Sequence, residues 1–490
     1  MMNYQDIYLI CFIEMRNDMW DFEKYGKNIS VILERDIKYT YNDINELQQE
    51  MASYLDARTL IFMLVENSIG SLIGYIACIK NKVVPLMLDV NISQEKFNYI
   101  YNIYRPKYIW LPELSQIKKL GTVVYSKFGY VLLKSEYLWK DLYSELALLM
   151  CTSGSTGSNK LVRISYKNIL ENTKSIISAL DIKENDKALC VLPMHYAYGL
   201  SVINTHLFCG ATILLSNRKI YDKRIWEYFK KFHGNSISGV AYTYKILKKL
   251  GFEKWELPDL EVITQAGEKM SEELYSYLTE YACKNGVRFY PMYGQTEATA
   301  RMTCMEWNKN RDKFGSVGKS ISGGKINILD SENNYISMPK KVGQIVYEGE
   351  NVALGYCENV EDLSKGNEWR NILFTGDMGF IDEDGYLYVI GRNDKYIKLA
   401  GNRINIQEIQ NILERKFKEC IFDVKFDKKK VFVLYEGEIS NEEVLDYISK
   451  YMGFSKNIYK IIKIKEIPIL ASGKIDNRKI KSLMLDEKEI

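Results

Sequence analysis

Between residues 37 and 300, short apolar runs alternate with segments whose apolar residues recur at helical spacing. Residues 60–64, 83–88 and 108–111 read as strands, with helical stretches at 42–54, 69–80 and 94–104 around them. The same rhythm continues with strand-like runs at 146–150, 188–192, 211–215, 262–264 and 288–290. Helices are predicted at 166–180, capped by Ser165, and at 271–281, capped by Ser271. A chain patterned this way has to bury both faces of its sheets under helices, so the predicted fold class is layered α/β. After about residue 310 the texture changes. Short strands at 326–329, 343–347, 380–381 and 386–390 are separated by Gly and Asp turns, with Asp384-Gly385 as a hairpin turn. This predicts a smaller β-rich subdomain. Beyond Gly391-Arg392-Asn393-Asp394 the pattern is compact α+β: helices at 406–417 and 441–452, strands at 422–426 and 431–435. The predicted organisation is a large lobe over 1–392 and a small mobile domain over 393–490.

The length supports this division, because 490 residues exceed the ~250–300 at which a single core stops growing. A net charge of +3 provides no basic field for nucleic acid. The nine cysteines form no C-x-x-C pair and are odd in number, and the three histidines make no metal motif. A disulfide framework or structural zinc site is therefore not expected, and a reducing cytoplasm fits the usage. The apolar stretch at 8–13 is too short to span a bilayer and soon meets Glu14 and Arg16, so no membrane span is expected.

Four segments carry chemistry. The first is Cys151-Thr152-Ser153-Gly154-Ser155-Thr156-Gly157-Ser158-Asn159-Lys160, directly after the apolar run 146–150. Small residues let backbone N–H groups converge on one point. Hydroxyls add donors and the lysine adds charge, a combination suited to a polyphosphate. The spacing of a Walker A loop is absent, and a flexible polar loop is the plain alternative. The second is Tyr293-Gly294-Gln295-Thr296-Glu297, again after a short strand. It sets a ring able to stack on a base beside a hydroxyl and a carboxylate able to hold magnesium against phosphate. In isolation it reads better as an ordinary strand-to-helix turn with a solvated glutamate. The third joins Thr375-Gly376-Asp377 with Gly391-Arg392. An aspartate can accept two ribose hydroxyls, and a guanidinium presents a planar fork to phosphate or sugar oxygens. The fourth is Ser472-Gly473-Lys474, a lysine on a glycine-containing loop near the end of the chain.

Together and in this order, these segments resemble the AMP-forming adenylating superfamily of acyl- and aryl-CoA ligases, peptide-synthetase adenylation domains and beetle luciferases. The resemblance runs from Tyr39 to Arg478, and the signature G-R-x-D-x-x-I-K-x-x-G-x-R-I is matched at every fixed position from Gly391 to Ile404. It implies that Thr152, Ser153, Gly154, Ser155, Thr156, Gly157 and Lys160 cradle the β- and γ-phosphates of ATP. On the same resemblance, Gly267 and Glu268 would line the adenine pocket and Tyr293 would stack on the base. Thr296 would meet the α-phosphate, Glu297 would ligate Mg2+, and Asp377 with Arg392 would hold the ribose. Asp394 would be the hinge, and Lys474 would bridge the carboxylate and the α-phosphate. The implied activity is activation of a carboxylic acid as acyl-AMP, followed by transfer to a thiol. Asn159, Leu161, Tyr166 and Asn405 depart from the usual pattern without removing any of these groups.

For the acid, no carboxylate lies between Asp186 and Asp222, so an α-ammonium would be left unpaired in an apolar pocket. An α-amino acid is disfavoured, and an aliphatic or aryl acid is expected. His195 stands where acyl-CoA ligases often carry a histidine beside the acyl pocket, though a buried structural histidine reads nearly as well. Residues 239–244 and 264–267 are expected to line that pocket. Coenzyme A is the favoured acceptor, and phosphopantetheine on a carrier protein is the alternative. Lys456, Lys460, Lys463 and Lys465 offer either a contact for an acidic carrier or a solvated face. Two rivals are a light-emitting oxidative relative and a non-catalytic nucleotide-binding protein.

Overall fold

The computed structural model describes residues 19–486, apart from 118–119, 138–141, 152–159, 393–395, 400–401, 428–429, 453–454, 471–472 and 474. Two large mixed sheets dominate. One runs Lys319–Ser320, Thr303–Cys304, Arg288–Tyr293, Val262–Gln265, Ser236–Gly239, Lys187–Cys190, Thr212–Leu215, Ile29–Leu33, Lys38–Thr40. Its six middle strands are parallel, and antiparallel strands close both edges. The other sheet has eight strands, with Leu146–Cys151, Val84–Asp89, Leu60–Val65 and Tyr108–Pro112 parallel at its centre.

Between the sheets lie the helices Ile69–Lys80 and Ala197–Phe208. Every residue of each is buried except the last, Lys80 and Phe208. The first reads Ile-Gly-Ser-Leu-Ile-Gly-Tyr-Ile-Ala-Cys-Ile-Lys, apolar all round, which is the pattern of a helix covered on every side. Leu72, Ile76, Ile203 and Leu207 join Met63, Met150 and Ile213 from both sheets in one core. Each such side chain contributes roughly 1.5–3 kcal/mol on burial.

The predicted helix starts follow from hydroxyl caps. Ser68, Ser93, Ser165 and Ser271 each accept a backbone N–H three residues on, and Thr40 forms a capping box with Asp43. The β-rich subdomain is an antiparallel sheet ordered Gly324–Leu329, Gly343–Gly349, Ile372–Ile381, Leu387–Arg392. Past residue 393 come the hairpin Tyr396–Leu399 with Asn402–Asn405 and a three-stranded sheet of Ile421–Asp427, Lys430–Glu436 and Tyr459–Lys463. Helices Ile406–Lys416 and Asn441–Met452 cover that sheet, sharing its core through Ile409, Leu413, Val444 and Ile448. Among the described residues no helix is long and apolar enough to cross a membrane.

Candidate active site

The parallel strands of the nine-stranded sheet deliver Gly239, Gln265 and Tyr293 at their C-terminal ends, the edge where open α/β sheets bind ligands. Tyr293 lies across from the β-rich subdomain. Its hydroxyl donates to Asp377 Oδ2 at 2.5 Å, and Gln295 Nε2 donates to the same oxygen at 2.6 Å and to the Thr375 carbonyl at 3.0 Å. Burial first, and the Asp377 carboxylate second, push the Tyr293 phenol well above its ordinary range, so it stays a donor. Asp377 and Arg392 face each other across paired strands, with Arg392 Nε 3.5 Å from Asp377 Oδ1. Two motifs fifteen residues apart in sequence are thereby joined by strand register.

After Tyr293 the chain turns tightly. A Cβ on Gly294 would run into the Ala300 carbonyl, so only glycine fits. Thr296, Glu297 and Ala298 form one 3₁₀ turn. Thr299 and Ala300 then adopt positive φ, 58° and 135°, a strain that persists because buried polar groups hold the segment. Asn351 Nδ2 donates to the carbonyls of Ala298 and Arg301 at 2.9 Å each, Asn172 Nδ2 also donates to Arg301 at 2.9 Å, and Thr299 Oγ1 donates to Asn351 at 2.7 Å.

Glu297 is fixed by a strand distant in sequence. Tyr356 Oη donates to Glu297 Oε1 at 2.9 Å, and the Ala353 N–H donates to the Glu297 carbonyl at 2.9 Å. Tyr356 belongs to Gly355–Cys357, which pairs with Leu161–Ser165. Arg163, on that second strand, is fully buried and binds Glu368 and the carbonyls of Tyr356, Lys365 and Gly366. Lys160, at the end of the hydroxyl-rich loop, reaches Glu358 at 2.9 Å and lies 5.3 Å from the Tyr356 ring centre. Lys160 and Glu297 thus meet at one short strand. The donor set suits an Mg2+ ion that arrives with phosphate: it offers one carboxylate and an adjacent hydroxyl, and no cluster of three ligating side chains exists among the described residues.

The other predicted positions fall as follows. Gly267 has φ 91°, and the Glu268 carbonyl accepts from Gln265 Nε2 at 2.7 Å. His195 is largely buried, with Nε2 3.6 Å from Asp89 Oδ2 on the eight-stranded sheet. Desolvation lowers its pKa, against the pull of Asp89 and the Val65 carbonyl. Its neighbour Tyr196 feels Glu268 and Arg301 instead. Thr152, Ser153, Gly154, Ser155, Thr156, Gly157, Asp394 and Lys474 lie outside the described residues. Gly473, next to that lysine, has φ 82° and packs against Val240, just past the strand end at Gly239. Lys245 and Glu414 meet nearby at 3.1 Å. Sequence reasoning missed Gln295, Asn351 and Tyr356. Gln295 stood inside a singled-out motif; the other two carry no local signal, because their partners in the turn lie fifty or more residues away.

Comparison with known proteins agrees with this architecture. The chain is similar to oxalate–CoA ligase of Saccharomyces cerevisiae, 23% identical over 92% of this chain and 94% of that one. Its fold resembles o-succinylbenzoate CoA synthetase from Bacillus subtilis in complex with its acyl-adenylate intermediate, with TM-score 0.75 and 21% identity over 94% of this chain and 97% of that chain. It also resembles McyG A-PCP complexed with phenylalanyl-adenylate, with TM-score 0.74 and 18% identity over 96% of both chains. Residues 20–357 match the AMP-binding enzyme family, and the chain belongs to that family.

Proposed function

We propose that this enzyme condenses a carboxylic acid with ATP to give acyl-AMP and pyrophosphate, then transfers the acyl group to the thiol of coenzyme A. The observation that carries the reading is the Tyr293–Gln295–Asp377–Arg392 group, tied to the Glu297–Tyr356–Lys160 group at the C-terminal edge of a parallel sheet. Asp377 and Arg392 bind ribose, Tyr293 faces adenine, and the loop ending at Lys160 takes the terminal phosphates. A carboxylate oxygen attacks the α-phosphorus, the bond to the β-phosphate oxygen breaks, and pyrophosphate leaves. The thiol sulfur then forms a bond to the acyl carbon, AMP leaves, and the thiol proton passes to solvent. Attack by one anion on another needs positive charge at the reacting oxygens. Magnesium beside Glu297 offsets phosphate charge when bound. Lys474 supplies the rest, carried on a domain that begins near residue 393 and pivots at Asp394. The contact of Gly473 with Val240 supports an arrangement in which this loop enters the cleft.

The acceptor is proposed as coenzyme A because relatives covering nearly the whole chain are named as CoA ligases. Resemblance to a structure that includes a carrier-type PCP partner keeps carrier-bound phosphopantetheine as the second reading. Acid-dependent exchange of labelled pyrophosphate into ATP tests the first half-reaction. Its absence across fatty, aryl, hydroxy and dicarboxylic acids would refute the proposal. Thioester formation on adding coenzyme A, against none, decides the acceptor.

A further inference from the structure

Arg301 is 2% exposed, four residues beyond Glu297. Its guanidinium lies 4.1 Å from the Tyr198 ring centre and donates from one terminal nitrogen to Ser201 Oγ. Its Nε has no hydrogen-bond partner, and among the described residues no carboxylate pairs with it. The surroundings do not balance the charge. Removing a cation from water is costly, and one ring face and one hydroxyl do not offset that cost while Nε stays without a partner.

This arginine lines a narrow cavity between helices Tyr166–Leu180 and Ala197–Phe208 and strands Ser236–Gly239 and Val262–Gln265. In its wall Ser238 Oγ and Thr264 Oγ1 pair at 2.9 Å, and Tyr198 Oη reaches the same Thr264 Oγ1 at 2.7 Å. The cavity's one carboxylate, Asp186, is already committed: Asn235 Nδ2 donates to one oxygen at 2.8 Å and the Lys183 N–H to the other at 2.8 Å. His206 in the same wall is bonded through Nδ1 to the Val202 carbonyl at 2.8 Å, and burial keeps it neutral. The Thr264 strand runs directly into Gln265-Ala266-Gly267 on the nucleotide side.

We infer that the activated acid carries a second carboxylate, bound by Arg301 at the inner end of the acyl pocket. The inference rests on the adenylation proposed above and names its substrate class. A carboxylate completes the guanidinium's Nε edge and neutralises a charge that the fold leaves unbalanced. The free space is about 10 Å³, room for roughly one water, so a carboxylate enters only as the wall side chains move aside.

The test is pyrophosphate exchange by the wild-type protein with matched acids: succinate against butyrate and succinamate, glutarate against valerate and glutaramate. The diacids are expected to exceed their neutral counterparts by about 100-fold or more in kcat/KM, mostly through KM. Arg301→Leu should erase that preference and Arg301→Lys restore part of it. Equal use of diacid and half-amide by the wild type would overturn the inference, as would an Arg301→Leu enzyme that keeps the preference. Because the wild-type comparison needs no variant to fold, the inference stays exposed even if Arg301→Leu does not. Exchange driven by monoacids alone would sink this inference and leave adenylation standing. No exchange with any acid would sink both.

Discussion

Asp377 gathers a phenol, a primary amide and a guanidinium on its two oxygens, donors from two strands and a turn. Such a carboxylate is oriented before any ribose arrives. Asp377→Asn keeps the shape but sets an amide against the Gln295 amide. We expect its KM for ATP in the exchange assay to rise about tenfold with little change in thermal midpoint, because hydrogen bonds to charged groups contribute roughly 1.5–3 kcal/mol. Buried histidines make a separate residue-scale prediction. Burial depresses both His195 and His206, so the unfolded chain takes up protons near pH 6.5 that the folded chain refuses. Stability should fall as pH drops from about 7 toward 5.5, before carboxylates begin to titrate. Denaturant midpoints across that range will show it, and His206→Gln should flatten the slope.

At the scale of elements, the turn over residues 294–301 is the least self-sufficient piece of the site. Its positive-φ residues are held by Asn351 from a different segment. Asn351→Ala leaves the Ala298 carbonyl and the Tyr347 hydroxyl without that partner, while the Arg301 carbonyl keeps Asn172. Each orphaned group costs about 1–3 kcal/mol, so a clear drop in thermal midpoint is expected, with exchange activity lost more steeply than helical signal. The same contrast explains what the sequence made legible. Helices 69–80, 94–104 and 166–180 were readable to the residue because serine caps mark their starts. Helix Ala197–Phe208 was not, since it is buried from both sheets and its polar residues, Ser201, Asn204, Thr205 and His206, are buried with the rest. Strands Ile29–Leu33 and Lys38–Thr40 were missed too, being short and on one edge of their sheet. Motifs announced Tyr293, Glu297, Asp377 and Arg392, but nothing local announces that Tyr356 clamps Glu297.

For the whole molecule, the question is what the C-terminal part contributes. Its loop touches Val240 at Gly473, where φ is 82° and an added methyl would lie 2.7 Å from Val240 Cγ2. Lys474→Ala should abolish pyrophosphate exchange while thiolysis of supplied acyl-AMP by coenzyme A continues. Gly473→Ala should weaken exchange for a steric reason and also spare thiolysis. Equal loss of both half-reactions would contradict two working arrangements of the lobes.

Lys160 at rest has its charge answered by Glu358 rather than by solvent alone. If this ammonium takes phosphate as proposed, an incoming triphosphate competes with an intramolecular rival for it, and nucleotide affinity becomes a displacement equilibrium. The pair is more than two-fifths exposed on both sides, so the rivalry is weak and dissolved salt should soften it. Glu358→Gln should tighten ATP by about fivefold or less, most visibly at low ionic strength.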